Sequence, residues 1–421
     1  MISVEDARER ILSFFEPLES VEQPLVDVLG QVLTEDVIAP FDIPPLDNTA
    51  MDGYAVRAAD TTGAEPASPR ELRIVADLAA GYMPETPVGR GEAVRIMTGA
   101  VIPPGANSVV PFEETDEPLR NVGETPTKGE TVKVFKAARE GANVRARAED
   151  VKSGDTVVPA GRIVRPSEIG VLASIGLMNV SVHRRPVVAI LSTGDEITEP
   201  GQLLAPGHIY DSNAHGIAAL VRKCGGVPKM LGIARDTVED LTDRIQAGFN
   251  ADFIVTSAGV SRGDFDVVKD VLAREGAIDF WTVKMKPGKP LAFGAFNTSS
   301  GRKVPHLGLP GNPVSSMVSF ELFGRPAIFK MLGRSDWERP IVQAVTQDTI
   351  INTDGRRFFA RCIVRPSPDG GYVADLTGPQ GSGILTSMSA ANALTIIPEE
   401  LPRAEPGDTI DVMMIDWDHS P

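Results

Sequence analysis

The chain has 421 residues, and its 42% hydrophobic and 23% charged content is ordinary for a globular protein of about two to four domains. With 41 basic against 57 acidic residues, the formal net charge of −16 argues against a general nucleic-acid or anionic-membrane binder. No apolar run approaches the roughly 20 residues that span a bilayer. The N-terminus lacks the basic start and apolar block of a signal peptide, so we expect a cytoplasmic protein.

The first 178 residues predict one short helix followed by β structure. Ser3 is the expected N-cap, and apolar residues follow at helical spacing, at Ile2, Ala7, Ile11, Phe14 and Leu18. Short strands and turns then dominate from about residue 20 to 170. We divide this part into a linker domain of helical and β elements, residues 1–45 and 140–178, and a β-rich lobe, residues 46–139.

Residues 179–332 alternate strand and helix patterns. Strands are predicted at 186–191, 227–233, 253–257, 290–296 and 304–309. Between them we expect a helix capped by Ser212 or Asn213, a helix capped by Asp236, a helix through Val267 and Val271, and a long helix opened by Asn312 and Pro313. This alternation predicts a doubly wound, mostly parallel sheet with helices on both faces.

Residues 333–421 change character. Short strands recur between Gly, Pro, Asn and Asp residues, which predicts a small C-terminal β-barrel. The fold class is therefore multidomain α/β plus β, with β-rich N-terminal lobes. The two cysteines, Cys224 and Cys362, lie far apart in sequence and are expected to be buried hydrophobes rather than a disulfide or metal ligands.

The predicted chemistry lies at three strand ends. STGDE follows the strand 186–191, SAGVSRGDFD follows 253–257, and PGNP follows 304–309. In open α/β sheets ligands bind beyond the carboxyl ends of the strands, and amides of glycine-rich turns or helix starts bind phosphate. Acids beside a phosphate require a cation, for which Mg²⁺ is the usual choice. Taken singly, each segment is also compatible with an ordinary turn.

Three further segments carry charge in unusual settings. VKMKPGKP (283–290) spaces lysines with rigid Pro and Gly, which favours a shaped anion-binding loop over a solvated lysine face. PPLDNTAMDGYAV (44–56) contains two acids among small residues and is equally compatible with an Asx-rich turn. GANVRARAED (141–150) is also compatible with surface ion pairing.

Several common activities lack sequence support. A Ser-His-Asp catalytic triad is not supported, because none of the five histidines lies in a nucleophile-elbow pattern. None lies in the metal-binding HExxH pattern either. No Walker A motif and no strand-linked GxGxxG occurs, so ordinary ATP hydrolysis and nicotinamide redox chemistry are not supported.

The ordered set of motifs resembles one family. DNTAMDGYA, IMTGA, NVRARAED, LSTGDEI with IYDSN, SAGVSRGDFD, MKPGKP, LGLPGNPVSS and QGSG follow the order of MoeA-type molybdopterin molybdenumtransferases, whose relatives include the gephyrin E domain. The resemblance spans about residues 44–390. Two positions depart from the pattern: Thr49 stands where serine is commoner, and Thr282 where some members carry lysine.

The resemblance implies a function and an assembly. Such proteins insert molybdate-derived molybdenum into adenylylated molybdopterin with a divalent cation, usually Mg²⁺, and release AMP. Their α/β domain is MogA-like, resembling that of the molybdopterin-adenylylating enzyme, and they form homodimers with the active site near the subunit interface. The adenylylating enzyme and molybdoenzyme acceptors are the implied partners, with no nucleic acid and no membrane.

The resemblance also implies residue roles. The implied catalytic residues are Asp52, Thr98, Asp150, Glu196, Asp266, Lys284 and Lys286, with Glu196 and Asp266 as metal ligands. The implied substrate contacts are Ser192, Thr193, Gly194, Asp236, Ser257, Gly259, Ser261, Gly263, Pro310, Gly311, Asn312, Pro313, Arg361 and Ser382. Positioning and charge neutralisation by such groups suit cleavage of a phosphoanhydride-type bond.

Two other functions stay open from the sequence. One is the preceding step, adenylylation of molybdopterin by ATP, which would not need the N-terminal loops or the C-terminal barrel. The other is a non-catalytic molybdopterin-binding or scaffold protein, which would have no use for carboxylates at Asp52, Glu196 and Asp266. Tungstate is an alternative to molybdate, because both oxyanions are tetrahedral dianions.

Overall fold

The computed structural model describes residues 1–119, 127–258, 271, 274 and 276–416, and the chain forms two compact units. The first unit comprises Met1–Glu35, Gly161–Pro166 and Asn179–Pro421. The second comprises Asp36–Ala160 and Ser167–Met178. The finer division into four domains stays a prediction.

A six-stranded sheet forms the centre of the first unit. Its strands are β1 (Val187–Thr193), β2 (Val227–Ala234), β3 (Phe253–Ser257), β4 (Gly276–Thr282), β5 (Pro290–Asn297) and β6 (Lys303–Leu309). The order across the sheet is β2-β1-β3-β6-β5-β4. The first four strands are parallel, whereas β5 and β4 run antiparallel to their neighbours. The prediction of a mostly parallel sheet is confirmed.

Helices cover both faces of this sheet. They include α1 (Ser212–Lys223), α2 (Val238–Ala247) and α3 (Pro313–Ser319). Alternate β1 residues face opposite sides: Val188 and Ile190 share a core with α1 and α3, while Ala189 and Leu191 share one with α2. The doubly wound arrangement expected from the alternating pattern is therefore present.

The helix ends correct two local predictions. The N-cap of α1 is Asp211, which accepts from the Ala214 N–H, and not Ser212 or Asn213. The N-cap of α2 is Thr237, which accepts from the Asp240 N–H, and not Asp236. In both cases several adjacent residues have capping side chains, and the backbone turn decides which one caps.

The other predicted caps are confirmed. Ser3 caps the helix Val4–Leu12, and Asn312 precedes Pro313 at the start of α3. The predicted long helix is interrupted, because α3 continues through a π-helical turn, Phe320–Gly324, into the helix Arg325–Met331. The predicted helix through Val267 lies outside the described residues, apart from Val271 and Arg274.

A closed five-stranded barrel lies near the end of the first unit. Its strands, in barrel order, are Ile341–Thr346, Tyr372–Leu376, Arg361–Pro366, Ala393–Ile396 and Thr409–Met414. The β structure of this segment is interrupted before Arg361, because Arg357–Phe358 and Arg361–Pro366 form separate strands. Arg357–Phe358 instead pairs in parallel with Met285–Lys286, which brings the MKPGKP loop against the barrel segment.

Smaller elements complete the first unit. The antiparallel pairs are Ser20–Pro24 with Asn179–His183 and Ile350–Ile351 with Arg403–Ala404, and Ile197–Thr198 pairs in parallel with Ile209–Tyr210. The short helices are Leu25–Asp27 and Leu385–Ala390. Cys224 and Cys362 are both buried and free, as expected.

The second unit is β-rich, as predicted. Its five-stranded sheet has the order Ser108–Pro111, Gly53–Val56, Glu92–Ile96, Arg70–Leu78 and Thr131–Val134. Two-stranded ladders join Asn48–Thr49 to Val144–Arg145 and Val37–Ile38 to Thr156–Val158. The helices are Ala58–Thr61, Phe112–Glu114, Glu117–Leu119 and Pro166–Ser174. Among the helices of the described residues, none combines the length and apolar character needed to span a bilayer.

Candidate functional site

A cleft lies at the carboxyl ends of β1, β3 and β6, where ligands bind in open α/β sheets. Its volume is about 540 Å³. We call it the sheet-edge cleft, and it is lined by Ser192, Thr193, Glu196, Ile197, Ile209, Tyr210, Asp211, Ser212, Asn213, Ser257, Ala258, Gly311, Asn312, Pro313 and Gly383. The three strand ends singled out in the sequence therefore meet in one place.

Asn213 joins these strand ends. Its Nδ2 donates to Ser257 Oγ and to the Gly311 carbonyl, each at 2.7 Å. The sequence suggested Asn213 only as a cap, because nothing local shows that the first turn of α1 reaches two strand ends at once. Ser192 is only 3% exposed, and within the described part of the chain its Oγ has no hydrogen-bond partner. A buried hydroxyl without a partner is costly unless a ligand or water satisfies it.

Glu196 supplies the carboxylate of the sheet-edge cleft. Its side chain is exposed and makes no hydrogen bond or ion pair with the residues that the structure describes. Gly194 permits this position: its φ is +140°, and a Cβ there would lie 2.5 Å from Glu196 Oε2. Four predicted residues, Gly259, Ser261, Gly263 and Asp266, lie outside the described residues.

The fit of this cleft to Mg²⁺ rests on Glu196. Across the described ranges, no group of three or more His, Cys, Asp or Glu side chains could hold a metal ion. Mg²⁺ is nevertheless commonly held by one or two carboxylates together with substrate phosphates and water. Glu196, a carboxylate without a partner among the described residues, fits that mode of binding. The protein would then supply only part of the Mg²⁺ coordination, and the substrate phosphates and water would supply the rest.

A second cavity adjoins the first and shares Gly311 and Asn312 with it. We call it the lysine cavity. Its volume is about 410 Å³, and it is lined by Lys286, Pro287, Gly288, Lys289, Pro290, Pro310, Gly311, Asn312, Ser315, Arg356, Gln380, Gly381 and Ser382. Asn312 Nδ2 donates to Ser382 Oγ at 3.0 Å, which links the PGNP and QGSG segments across this cavity.

The lysine cavity is electropositive. Lys286, Lys289 and Arg356 line it, and Asp354 lies beside two of them, 3.8 Å from Lys286 Nζ and 2.5 Å from Arg356 Nη2. Partial burial would raise the pKa of Asp354, but the Arg356 hydrogen bond and the two positive charges outweigh it and lower that pKa. Within the described residues no carboxylate pairs with Lys289. The cavity is thus suited to a small anion.

The sequence missed Arg356 as a site residue, whereas Lys289 belongs to the predicted anion-binding loop 283–290. Arg361, which the resemblance suggested as an oxyanion contact, is completely buried and hydrogen-bonded to neighbouring carbonyl groups. Arg356 lines the lysine cavity and Arg361 does not, and the role of Arg361 as an oxyanion contact stays a prediction. The interruption of the strand before Arg361 separates the two arginines, which no local pattern reveals. Lys284 and Asp236 are not among the residues that line either cavity.

Asp52 and Thr98 form a pair on the second unit. Asp52 Oδ1 accepts from both the Thr98 N–H and the Thr98 hydroxyl, each at 2.7 Å. Both hydrogen bonds lower the pKa of Asp52, and the bond from the Thr98 backbone N–H has the larger effect. Asp150 belongs to the same unit and is exposed, with its N–H bonded to the Ile43 carbonyl. The catalytic roles of these residues stay predictions.

Thr98→Val tests the pair directly. Because the hydroxyl hydrogen bond stabilises the ionised carboxylate, its loss raises the pKa of Asp52 toward the ordinary aspartate value, while the backbone bond keeps it from reaching that value. The measurement is an NMR pH titration of Asp52. Thr62→Val, in the same unit, is the control and leaves that titration unchanged. An Asp52 pKa that is unaltered by Thr98→Val would contradict the assigned cause.

The fold and the two cavities define an α/β protein whose sheet has, at its carboxyl edge, cavities suited to an anionic ligand. Three family models cover most of the chain. Residues 2–176 match the MoeA N-terminal region (domain I and II), residues 189–330 a probable molybdopterin binding domain, and residues 343–415 the MoeA C-terminal region (domain IV). The chain belongs to the MoeA family.

Individual relatives align with this chain over nearly their full length. Molybdopterin molybdenumtransferase 2 of Mycobacterium tuberculosis is 36% identical and covers 99% of this chain and 100% of its own. Molybdopterin molybdenumtransferase of Haemophilus influenzae is 32% identical, with 98% of each covered. The molybdopterin biosynthesis MoeA protein from Pyrococcus horikoshii superposes with a TM-score of 0.79 at 31% identity, over 98% of this chain and 99% of that one.

Proposed function

We propose that this chain inserts molybdate-derived molybdenum into adenylylated molybdopterin in a Mg²⁺-dependent reaction that releases AMP. Membership of the family makes it an enzyme of molybdenum cofactor biosynthesis, a molybdopterin molybdenumtransferase. The adenylylated form of the substrate, the release of AMP and the requirement for Mg²⁺ are the parts that the proposal adds.

One observation carries the proposal: two chemically different cavities share Gly311 and Asn312. The sheet-edge cleft has small residues, hydroxyl groups and the carboxylate of Glu196, which has no partner among the described residues, and these groups suit a phosphate-linked ligand with its cation. The lysine cavity has three cations beside one carboxylate and suits a small dianion such as molybdate. Binding both substrates side by side converts their encounter into a reaction within one complex.

The protein's own groups have separable roles in this proposal. Glu196, and Asp266 from outside the described residues, would hold Mg²⁺, which supplies charge neutralisation at the phosphates when bound. Lys286, Lys289 and Arg356 orient molybdate and balance its charge. Ser192, Thr193, Ser257 and Asn312 position the phosphate-linked substrate. Asp52, Thr98, Asp150, Lys284 and Asp236 keep the roles that the family resemblance implies, as proposals.

The direct test supplies the protein with adenylylated molybdopterin, Mg²⁺ and molybdate and follows AMP and active cofactor together. The expected result is equal amounts of both products, with neither formed when Mg²⁺ or molybdate is omitted. Product formation from molybdopterin and ATP, yielding the adenylylated compound, would instead assign the preceding reaction.

Asp266→Asn separates an enzyme from a scaffold. The proposal requires that this change slows AMP release, since a metal-binding carboxylate is lost while the side-chain shape is kept. Turnover equal to the wild type would leave molybdopterin binding or scaffolding as the better account.

Gly194→Ala tests the position of Glu196. A Cβ would lie 2.5 Å from one carboxylate oxygen and 2.9 Å from the other, so the carboxylate must move. A displacement of this kind lowers the rate of AMP release by about 100-fold. Gly201→Ala is the matched control, because Gly201 also has a positive φ, of +92°, but open space where its Cβ would be. Equal rates for the two variants would contradict the steric explanation.

We further propose a homodimer in the cytoplasm that receives its substrate from the molybdopterin-adenylylating enzyme and passes cofactor to molybdoenzymes. The family resemblance supports this assembly. Sedimentation equilibrium is the test of the dimer, and a mass equal to the 44.9 kDa of one chain at micromolar concentration would refute it.

A further inference from the structure

The carboxylate of Glu196 stands on a tight turn. The Ile197 N–H donates to the Gly194 carbonyl at 3.3 Å, so Asp195 and Glu196 are the two central residues of a β-turn that follows β1. A Cβ at Gly194 would lie 2.5 Å from Glu196 Oε2, which shows that the carboxylate folds back against the first residue of the turn. The place of this carboxylate in the sheet-edge cleft therefore depends on the conformation of the turn.

A side chain from another segment holds the central peptide group of this turn. The peptide between Asp195 and Glu196 takes no part in the turn's own hydrogen bond, and its orientation distinguishes the common turn types. Arg235 Nη1 donates to the Asp195 carbonyl at 3.0 Å. In a planar trans peptide the carbonyl of one residue and the N–H of the next point in opposite directions. Arg235 therefore also fixes the direction of the Glu196 N–H, and with it the direction in which the Glu196 side chain starts.

Arg235 reaches the turn from an anchored position between β2 and α2. Its N–H donates to Asp240 Oδ2 at 2.7 Å, and its carbonyl accepts from the Thr237 N–H at 2.7 Å. Thr237 is the N-cap of α2, and α2 packs on the sheet through a shared core. The main chain of Arg235 is therefore held at the start of a packed helix, which sets the place from which its guanidinium extends.

Two main-chain groups next to Arg235 also contact the turn. The Gly194 N–H donates to the Ala234 carbonyl at 3.2 Å, and the Asp236 N–H reaches Asp195 Oδ1 at 3.4 Å. This segment thus contacts the turn at three successive positions, although none of the three is among the residues that line the sheet-edge cleft. Only the Arg235 contact is made by a side chain of the segment, so it is the contact that a substitution there removes.

We propose that Arg235 is a positioning residue for Glu196: it orients the turn so that the Glu196 carboxylate stays in the sheet-edge cleft. Arg235 itself is exposed and does not line the cleft, so it acts through the turn and not on the ligand. This inference rests on the proposed function, in which the carboxylate takes part in holding Mg²⁺. Partners that orient a metal-binding side chain typically contribute about 10- to 100-fold to metal affinity.

The experiment compares Arg235→Ala, Arg235→Lys, Glu196→Gln and the double variant Arg235→Ala/Glu196→Gln, with Arg222→Ala as the control. Arg222 is an exposed arginine in the last turn of α1 and is not among the residues that line the cleft, so its loss changes the net charge equally. AMP binding to the full-length protein is measured by calorimetry with and without Mg²⁺. AMP release is followed at several Mg²⁺ concentrations, and thermal unfolding reports whether each variant is folded.

We expect Arg235→Ala to raise the Mg²⁺ concentration for half-maximal AMP release about tenfold, with kcat at saturating Mg²⁺ within about twofold of the wild type. The gain in AMP affinity that Mg²⁺ provides falls by a similar factor, whereas AMP binding without Mg²⁺ is unchanged. Arg235→Lys loses less, because a lysine still donates to the Asp195 carbonyl. Amide hydrogen exchange at residues 196–197 becomes faster, since the turn is held by fewer contacts.

The double variant shows whether Arg235 acts through Glu196. In the Glu196→Gln background, Arg235→Ala changes the rate of AMP release by less than about twofold, because the carboxylate that Arg235 positions is already absent. Residues that act as one unit show such non-additive effects, whereas independent residues give effects that multiply.

The results that overturn the inference are distinguishable from those that overturn the proposed function. If Arg235→Ala has the Mg²⁺ dependence of Arg222→Ala while Glu196→Gln requires more Mg²⁺, the positioning role is wrong and the proposed function is intact. The same holds if the two effects multiply in the double variant, or if Arg235→Ala weakens AMP binding without Mg²⁺, which would indicate direct contact with the ligand. A wild-type protein whose AMP binding and AMP release do not depend on Mg²⁺ would refute both. Should Arg235→Ala fail to fold, Arg235→Lys decides by the same comparisons.

Discussion

Replacing Glu196 by Gln lowers the rate of AMP release by about 100-fold, because the sheet-edge cleft loses a carboxylate that has no partner among the described residues. The substitution keeps the size of the side chain, so packing around Gly194 is preserved and the protein remains folded. If the carboxylate acts by holding Mg²⁺, raising the Mg²⁺ concentration restores part of the rate. The measurement is AMP release at several Mg²⁺ concentrations with adenylylated molybdopterin and molybdate at saturation.

Glu199→Gln is the matched control for this change. Glu199 lies three residues further along the same loop, but its carboxylate approaches His215 Nε2 at 3.5 Å and is not among the residues that line the cleft. We expect its rate of AMP release to equal that of the wild type. A Glu196→Gln protein with wild-type rate and wild-type Mg²⁺ dependence would remove Glu196 from the site.

Replacing Lys289 by Ala weakens molybdate binding by about 10- to 100-fold, the typical loss for a hydrogen bond that involves charged groups. Within the described residues Lys289 has no carboxylate partner, whereas Lys286 lies 3.8 Å from Asp354 and 4.6 Å from the centre of the Phe358 ring. The charge of Lys289 is therefore the least compensated of the cavity's lysines. Calorimetric titration with molybdate measures the loss, and added salt reduces it because the contribution is electrostatic.

Lys303→Ala controls for the removal of a positive charge from this acidic protein. Lys303 is the exposed first residue of β6, at the opposite end of the strand from the lysine cavity, and its loss leaves molybdate affinity unchanged. Lys284→Ala, measured alongside, decides between the residue that the family resemblance implies and the residue that lines the cavity. Unchanged affinity in Lys289→Ala would contradict the assignment.

The elements of the fold were largely readable from local patterns. Buried runs such as PVVAIL and FIVTS predicted β1 and β3, because a strand covered on both faces is apolar throughout. Asn312 followed by Pro313 predicted the start of α3, since proline has a fixed φ and no N–H to leave unpaired. Where two or three capping residues are adjacent, as at 211–213 and 236–237, local chemistry did not select among them.

The candidate site was readable only in part. Glu196, Ser257 and Asn312 were found because the carboxyl ends of parallel strands meet at one edge of a sheet. Arg356 and Arg361 are only five residues apart, and nothing in RRFFAR shows which of them is buried. Arg361 begins a separate strand, because the preceding segment Arg357–Phe358 pairs with residues 285–286, some 70 positions earlier in the chain.

The sequence by itself predicted the C-terminal barrel, the helices α1 and α2, the start of α3 and every strand of the central sheet except β4, because these depend on short-range sterics and on the periodicity of burial. Only the tertiary structure decided that Asn213 reaches Gly311 across 98 residues and that Lys289 and Arg356 line the cavity while Arg361 is completely buried. Such contacts depend on how every segment packs at once. The residue that a side chain contacts can therefore be far away in the sequence, and the local sequence around either residue does not identify it.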